Sequence, residues 1–470
     1  MLNSGDTAWV LVSAALVMLM TPGLAFFYGG MVRSKSVLNM LMMNFIALAV
    51  VGVLWVFYGF SLAFGNDIGG GLLGNLDFAG FQNIIGHLVG FAVTTGTPVA
   101  WPGPDALPIA AFAMFQLMFA VITPALISGA IADRVKFWSW TLFIALWSTI
   151  VYFPVAHWVF SFDGFISADA VGGWIANISK LGALDFAGGT AVHINAGAAG
   201  LALALVLGKR RGWPKEPMRP HNLPFVLLGA ALLWFGWFGF NAGSALTAGD
   251  LAATAFTNTM VATSAAVLGW LIIEQIRDGK PTTLGAASGA VAGLVAITPA
   301  AGYVSPLGGI AIGFIAGLLC ALAVGLKFRL GFDDSLDVVG VHLVGGLVGT
   351  LLIGFFGTVS VNSLGADGLF YGGGLAQLGK QAVAAFTVLG YSFVVTTILA
   401  LIIKYTIGFR IKDEAEVVGI DENEHAETAY DFSTLRGGGG LGTSRPLPPS
   451  TTAEAKASTE QVPATAGKES

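Results

Sequence analysis

Long apolar runs recur along this chain, and each ends in a short polar, acidic or basic stretch. A helix needs about 20 apolar residues to cross about 30 Å of hydrocarbon. Eleven runs meet or approach that length, near residues 8–31, 37–64, 109–132, 137–160, 187–208, 223–241, 251–275, 284–302, 305–326, 338–360 and 381–408. Pro22, Pro124, Pro154 and Pro299 fall within or near them, which packing can tolerate by re-satisfying the freed backbone groups. The pattern predicts an all-α polytopic membrane protein with eleven transmembrane helices.

The polar connections orient it. Sixteen lysines and arginines lie on one set of alternate connections, among them Arg33, Lys35, Arg134, Lys136, Arg210, Lys327 and, at the end of the last run, Lys404, Arg410 and Lys412. The other set holds two, Lys180 and Lys380. Basic residues stay in the cytoplasm, so the amino terminus is predicted outside and the carboxyl terminus inside. Met1 to Trp9 lacks a basic leader, so the first run is expected to stay as a span. The outer connection 65–108 has no lysine or arginine and carries Asp67, Asp77 and Asp105. It reads as mildly attractive to cations or as a packing lid.

Composition agrees. The 470 residues are 55% hydrophobic and 10% charged, against about 25% charged in soluble domains. The 65 glycines suit helices that approach closely in lipid. Cys320 is the one cysteine, so no internal disulfide forms. The acidity is local: residues 413–470 hold 11 acids and 4 bases. We therefore divide the chain into a membrane domain over 1–412, a cytoplasmic segment over 413–432, and a tail over 433–470 expected to be disordered.

Two stretches repeat an acid and a histidine eight residues apart: Asp185 to His193, and Asp334 to His342. The first run enters from outside and the second from inside, five spans later. That is the mark of an inverted-topology repeat, here about 8–208 against about 223–360, with an extra helix over about 381–410. Eight helical residues rise about 12 Å, which puts both histidines near the midplane of a core about 30 Å thick. Ionisable residues at that depth mark function by default. Single histidines are more often packing residues, but two at matched depth in inverted copies are harder to explain so. Bis-histidine haem ligation has nothing beyond the histidines behind it. Asp185, Asp334 and Asp337 are read mainly as helix caps. No metal-ligand cluster, phosphate loop or nucleophile constellation suggests an enzyme or a cofactor, and no nucleic-acid partner is implied.

At these stretches the chain resembles the ammonium transporter family (Amt/Mep, related to Rhesus proteins). The resemblance covers about residues 5–430 and rests on Asp185–Gly197, Trp237–Ala245 and Asp334–His342, with Phe115–Ala120 and Ala130–Arg134. It implies a homotrimer of eleven-helix subunits in the inner (plasma) membrane, each with its own pore. His193 and His342 resemble the pore's twin histidines, Phe119 and Phe240 its outer gate, and Ser244 the hydroxyl of an outer recruitment site that Phe119 also lines. Asp185 resembles the acid that shapes the vestibule without binding the ion. The family often places a tryptophan at that site, where Ala156-His157-Trp158-Val159 is followed here by Phe160; either Phe160 or Trp174 completes it.

A bare ammonium ion at the bilayer centre loses a hydration shell that apolar walls cannot replace. The resemblance therefore implies recruitment outside, deprotonation at the gate, and passage of ammonia past neutral imidazoles, with methylammonium as a larger and weaker analogue. It also implies that a PII-type signal protein docks on the cytoplasmic face, with Val417–Tyr430 as its regulatory segment. The competing reading is an ammonium sensor that signals through a cytoplasmic partner with little flux.

Overall fold

The computed structural model describes residues 2–89, 107–162, 172–176 and 180–430. Asp105 and the 433–470 tail lie outside the described residues. Among the described residues ten helices are long and apolar enough to cross a membrane: α1 Ser4–Met31, α2 Val37–Phe64, α3 Ile109–Ile131, α4 Phe137–Phe160, α5 Gly189–Leu207, α6 Leu223–Gly243, α7 Asp250–Asp278, α9 Pro306–Leu330, α10 Val339–Phe356 and α11 Ala376–Thr406. The remaining predicted span forms the shorter helix α8, Thr283–Ile297. It stops before Pro299, and Thr298–Tyr303 runs as turns; proline supplies no N–H to continue a helix. α8 is almost wholly buried, as an inner helix shielded from lipid should be.

Local chemistry places the ends. Asn222 caps α6 by accepting from Phe225 N at 3.0 Å, and Thr282 caps α8 by accepting from Gly285 N at 2.8 Å. Such caps satisfy N–H groups that the helix leaves open.

Packing shows how the two halves correspond. A Cβ on Gly243 would meet Ser13, one on Gly239 Leu16, and one on Gly30 Val226. Rising numbers on α6 meet falling numbers on α1, so the two helices are antiparallel. The same holds for α5 and α10: Gly189 faces Thr350, Gly197 faces Leu343 and Gly200 faces Val338. Within each half the pairing is parallel. Trp140 Nε1 donates to Met43 O at 2.9 Å and Gly59 abuts Phe153, so α4 follows α2. Gly309 meets Asn258 and Gly317 meets Ala266, so α9 follows α7. An inverted repeat requires this matched set, with first and fifth helices crossing their counterparts antiparallel.

The helix ends near Arg134, Arg210 and Asp333 are tied by buried charge. Arg134 Nη1 lies 2.7 Å from Asp333, and Arg210 pairs with Asp333 at 2.9 Å and Asp133 at 3.4 Å. The segment after α11 folds back as α12, Asp413–Val418, and α13, Ile420–His425. Asp421 accepts from Leu38 N and Asn39 N at 3.0 and 2.8 Å, capping α2 from outside its own sequence.

Candidate functional site

Both histidines sit in locally widened turns. Gly189–Ile194 and Val339–Leu343 are π-helical and pass into regular helix at Asn195 and Val344. Such turns concentrate at functional sites. Each is preceded by its acid. Asp185 Oδ1 accepts from Gly188 N and Gly189 N at 2.7 Å, and Oδ2 accepts from Thr190 N at 2.7 Å and from the Thr190 hydroxyl. Asp334 accepts from Val338 N at 3.1 Å and Val339 N at 2.8 Å. The capping expectation therefore fits both. It does not fit Asp337: that side chain pairs with Lys327 Nζ at 2.6 Å, and its backbone takes φ +65°. The lysine is ten residues upstream, so helix spacing did not reveal the pair.

The antiparallel crossing of α5 and α10 brings the two rings together. His193 Nδ1 and His342 Nδ1 are 3.3 Å apart, with centroids 5.4 Å apart and planes within 18°. Two lone pairs cannot face each other at that distance, so one Nδ1 donates and the other accepts; the rings are in opposite tautomers. Both are buried. The His193 Nε2 is buried and has no hydrogen-bond partner among the described residues. At Gly346 a Cβ would come 3.1 Å from His193 Cβ, and at Gly197 one would come 2.5 Å from Leu343 N. Glycine at these two positions lets the spans come close enough for the rings to meet.

Above the histidines lies an aromatic stack. The Phe119 and Phe240 rings stand 4.2 Å apart, with planes within 23°. His193 stacks on Trp237 at 5.5 Å and 16°, and Trp237 Nε1 donates to Thr298 Oγ1 at 2.8 Å. Trp237 was not singled out from the sequence, although it precedes Phe240 by three residues and so shares its helix face. Ser244 Oγ donates to Phe240 O at 2.8 Å, which leaves its lone pairs as acceptors. Phe160 meets Phe119 edge-on at 6.1 Å and 77°. Trp174 instead packs on Trp158 at 6.1 Å, with its backbone N donating to Gly71 O. Of the two candidates for the outer site, Phe160 is the one in contact with the aromatic stack. Among the described residues no cluster of three or more metal-ligating side chains occurs.

Comparison with known proteins places this arrangement. The model of the Ammonium Transporter Family matches residues 8–430. An ammonium transporter of Mycobacterium tuberculosis is 63% identical over 443 residues, covering 93% of this chain and 92% of that protein. One from Bacillus subtilis is 47% identical over 435 residues, covering 92% of this chain and all of its own length. The crystal structure of Saccharomyces cerevisiae Mep2 superposes with TM-score 0.77 at 37% identity, covering 88% of each chain. A sensor Amt protein superposes with TM-score 0.79 at 29% identity, covering 90% of this chain and 98% of its own. By sequence along nearly its whole membrane domain, and by the fold that the sequence adopts, the chain belongs to the ammonium transporter family.

Proposed function

We propose that ammonium is recruited at the outer mouth, gives up its proton at the phenylalanine stack, and crosses as ammonia along His193 and His342. The observation that carries this reading is the buried histidine pair directly beneath the stack. Phe240 contacts both Phe119, at 4.2 Å, and the His193 ring, at 6.2 Å. At a 4.2 Å separation the two phenyl rings touch, so one must swing for each substrate to pass. Ser244 lone pairs accept an ammonium N–H while the faces of Phe119 and Phe160 attract the cation. Asp185 spends its oxygens on backbone N–H groups and so acts through shape and field rather than by direct coordination. Beyond the gate the rings of Trp237 and Phe240 flank His193, an apolar surround. It disfavours the ion, while neutral imidazoles offer both a donor and a lone pair to ammonia.

The strong bias of basic residues to one face supports a multi-pass orientation in the inner membrane with the amino terminus outside. The family resemblance supports a homotrimer. It also supports a PII-type partner at the cytoplasmic face, where the 413–425 segment is docked on α2 and α4. The relatives named transporters, at up to 63% identity, favour flux over a sensor that moves little substrate.

The test is ammonium-specific uptake by purified protein in proteoliposomes. His193→Ala and His342→Ala should each reduce it and should weaken competition by methylammonium. Undiminished uptake in both variants would remove the histidine pair from the path.

A further inference from the structure

The last helix stands outside the inverted repeat, yet it packs along both helices that carry the pore histidines. Gln381 Nε2 donates to Leu184 O, just before α5, at 2.7 Å. Ser392 Oγ donates to Asn195 O at 2.8 Å, and Lys404 Nζ to Val206 O at 2.8 Å. Numbers rise together on both sides, so α11 runs parallel to α5. Against α10 the order reverses: a Cβ on Gly354 would meet Leu378, while Gln381 reaches Thr350 O.

One side chain joins all three elements. Gln381 is fully buried. An amide has two donors and two lone pairs, and this one uses them all. Nε2 donates to Leu184 O at 2.7 Å and to Thr350 O at 3.1 Å, and Oε1 accepts from Leu184 N at 2.6 Å and from Gln377 Nε2 at 2.9 Å. Leu184 is itself buried and lies in irregular backbone. Backbone shielded from water must find its partners within the protein, and Gln381 meets both groups of Leu184 as a neighbouring strand would. An apolar side chain of the same size would fill the space and leave both unpaired, which is costly.

Both bonded residues lie close to the histidines. Leu184 precedes Asp185, whose oxygens hold the start of the turn that carries His193. Phe186 N donates to Pro299 O at 3.0 Å, so the approach to α5 is held from two sides. Thr350 is about two turns beyond His342 on α10. Between this tie and the rings, glycines let the backbones touch. A Cβ on Gly189 would come 2.8 Å from Thr350 Oγ1, and one on Gly346 would come 3.1 Å from both Gly189 O and His193 Cβ. Close-packed contacts transmit a shift rather than absorb it. The Nδ1 atoms of His193 and His342, 3.3 Å apart, are already near the outer limit of a hydrogen bond, so about half an ångström more would end it.

We propose that Gln381 is a positioning residue for the pore: its amide clamps the approach to α5 against α10 and so fixes the separation at which His193 and His342 share a hydrogen. This rests on the reading of that pair as the substrate path, but its test reads the pair itself and does not depend on transport.

The experiment is ¹⁵N-histidine NMR of the full-length protein in lipid nanodiscs, with the pore signals assigned by their loss in His193→Gln and His342→Gln. In the wild type the shared hydrogen should give a cross peak to both Nδ1 nitrogens. Gln381→Met keeps the side chain's length and removes its hydrogen bonds to Leu184 and Thr350; the cross peak should be lost. Thr396→Val controls for a general loosening of α11. It removes the bond from Trp147 Nε1 on α4, at 2.9 Å, touches neither Leu184 nor Thr350, and should leave the cross peak at wild-type intensity. If Gln381→Met does not fold, Gln381→Asn decides: it keeps a polar amide but is one methylene too short to reach Leu184 and Thr350 together, and should also lose the cross peak. A cross peak that survives the substitution of Gln381, that is lost equally in Thr396→Val, or that is absent from the wild type would overturn the proposal. Uptake that survives His193→Ala would instead remove the pore reading and leave these signals untouched.

Discussion

Asp185 offers the sharpest quantitative test, because two roles predict different outcomes for the same pair of variants. If it binds ammonium directly, Asp185→Asn should abolish recruitment and leave stability alone. The structure instead shows a cap: three backbone N–H groups at 2.7 Å and the Thr190 hydroxyl all end on this carboxylate. Asp185→Ala strands three donors in a largely buried turn. Each costs about 1–3 kcal/mol when unpaired. Asp185 is part-exposed, so vestibule water can reach some of them and the low end applies, about 3–5 kcal/mol in all. Asparagine keeps one acceptor oxygen, enough for Gly188 N and Gly189 N. It turns an amide against Thr190 N, for a loss of about 1–2 kcal/mol. The assay is the melting midpoint of purified protein alongside methylammonium uptake in proteoliposomes. Stability and uptake should fall together, with alanine the worse of the two. Asparagine that destroys uptake without moving the midpoint, or alanine that melts like the wild type, would refute the capping argument.

Four further outcomes follow from the same contacts. Arg210→Ala leaves Asp133 and Asp333 buried beside a lost cation, and should cost about 3–5 kcal/mol, read as a lower midpoint in thermal unfolding. Burial pushes the Asp333 carboxyl up, yet hydrogen bonds from Arg210 and the charge of Arg134 outweigh it and hold the group below its ordinary range. Its folded pKa is therefore below its unfolded one, so its stabilisation is present above about pH 4 and is lost as pH falls through the lowered value; Asp333→Asn should flatten a midpoint-versus-pH curve in that acid window. Phe160→Trp presents a stronger face to a cation, a gain of about 0.5–1 kcal/mol at the lower end of the cation–π range, and should lower the half-saturating ammonium concentration about 2- to 5-fold in uptake assays. Asp421→Ala removes the external cap on α2, a change worth about 0.5–2 kcal/mol, and should raise amide exchange at Leu38 and Asn39 without moving exchange around His193.

The helices were legible because lipid leaves few ways to satisfy a backbone. A long apolar run bounded by basic residues has one good solution, and the predicted spans coincide with helices to within several residues. α8 was drawn too long because Pro299 looked like a tolerated kink rather than an end. The acid–histidine repeat was legible as spacing, and the packed helices bring its two rings within 3.3 Å of each other. Less visible were features that depend on partners far along the chain. Asp337 looked like its neighbour Asp334, yet it is claimed by Lys327. Trp237 lay within a quoted motif, but only the tertiary packing puts its ring against His193. Gln381 was one polar residue at the start of the last run until Leu184 and Thr350 were seen on its amide.

The sequence by itself determined what is set by composition and period: many apolar spans, a bias of basic residues to alternate connections, an acid and a histidine repeated at one spacing, an acidic segment after the last span, and membership of a family. Tertiary structure decided the rest. It widened the turns at Gly189–Ile194 and Val339–Leu343, joined the two rings at 3.3 Å, chose Phe160 over Trp174 as the neighbour of Phe119, and set Leu184 and Thr350 around the Gln381 amide. The physical reason is range. Hydrophobic partition and helix capping act within a few residues and can be read along the chain. Ring stacking, buried ion pairs and the pairing of a buried amide depend on which distant atoms lie within about 4 Å, and only the packed helices settle that.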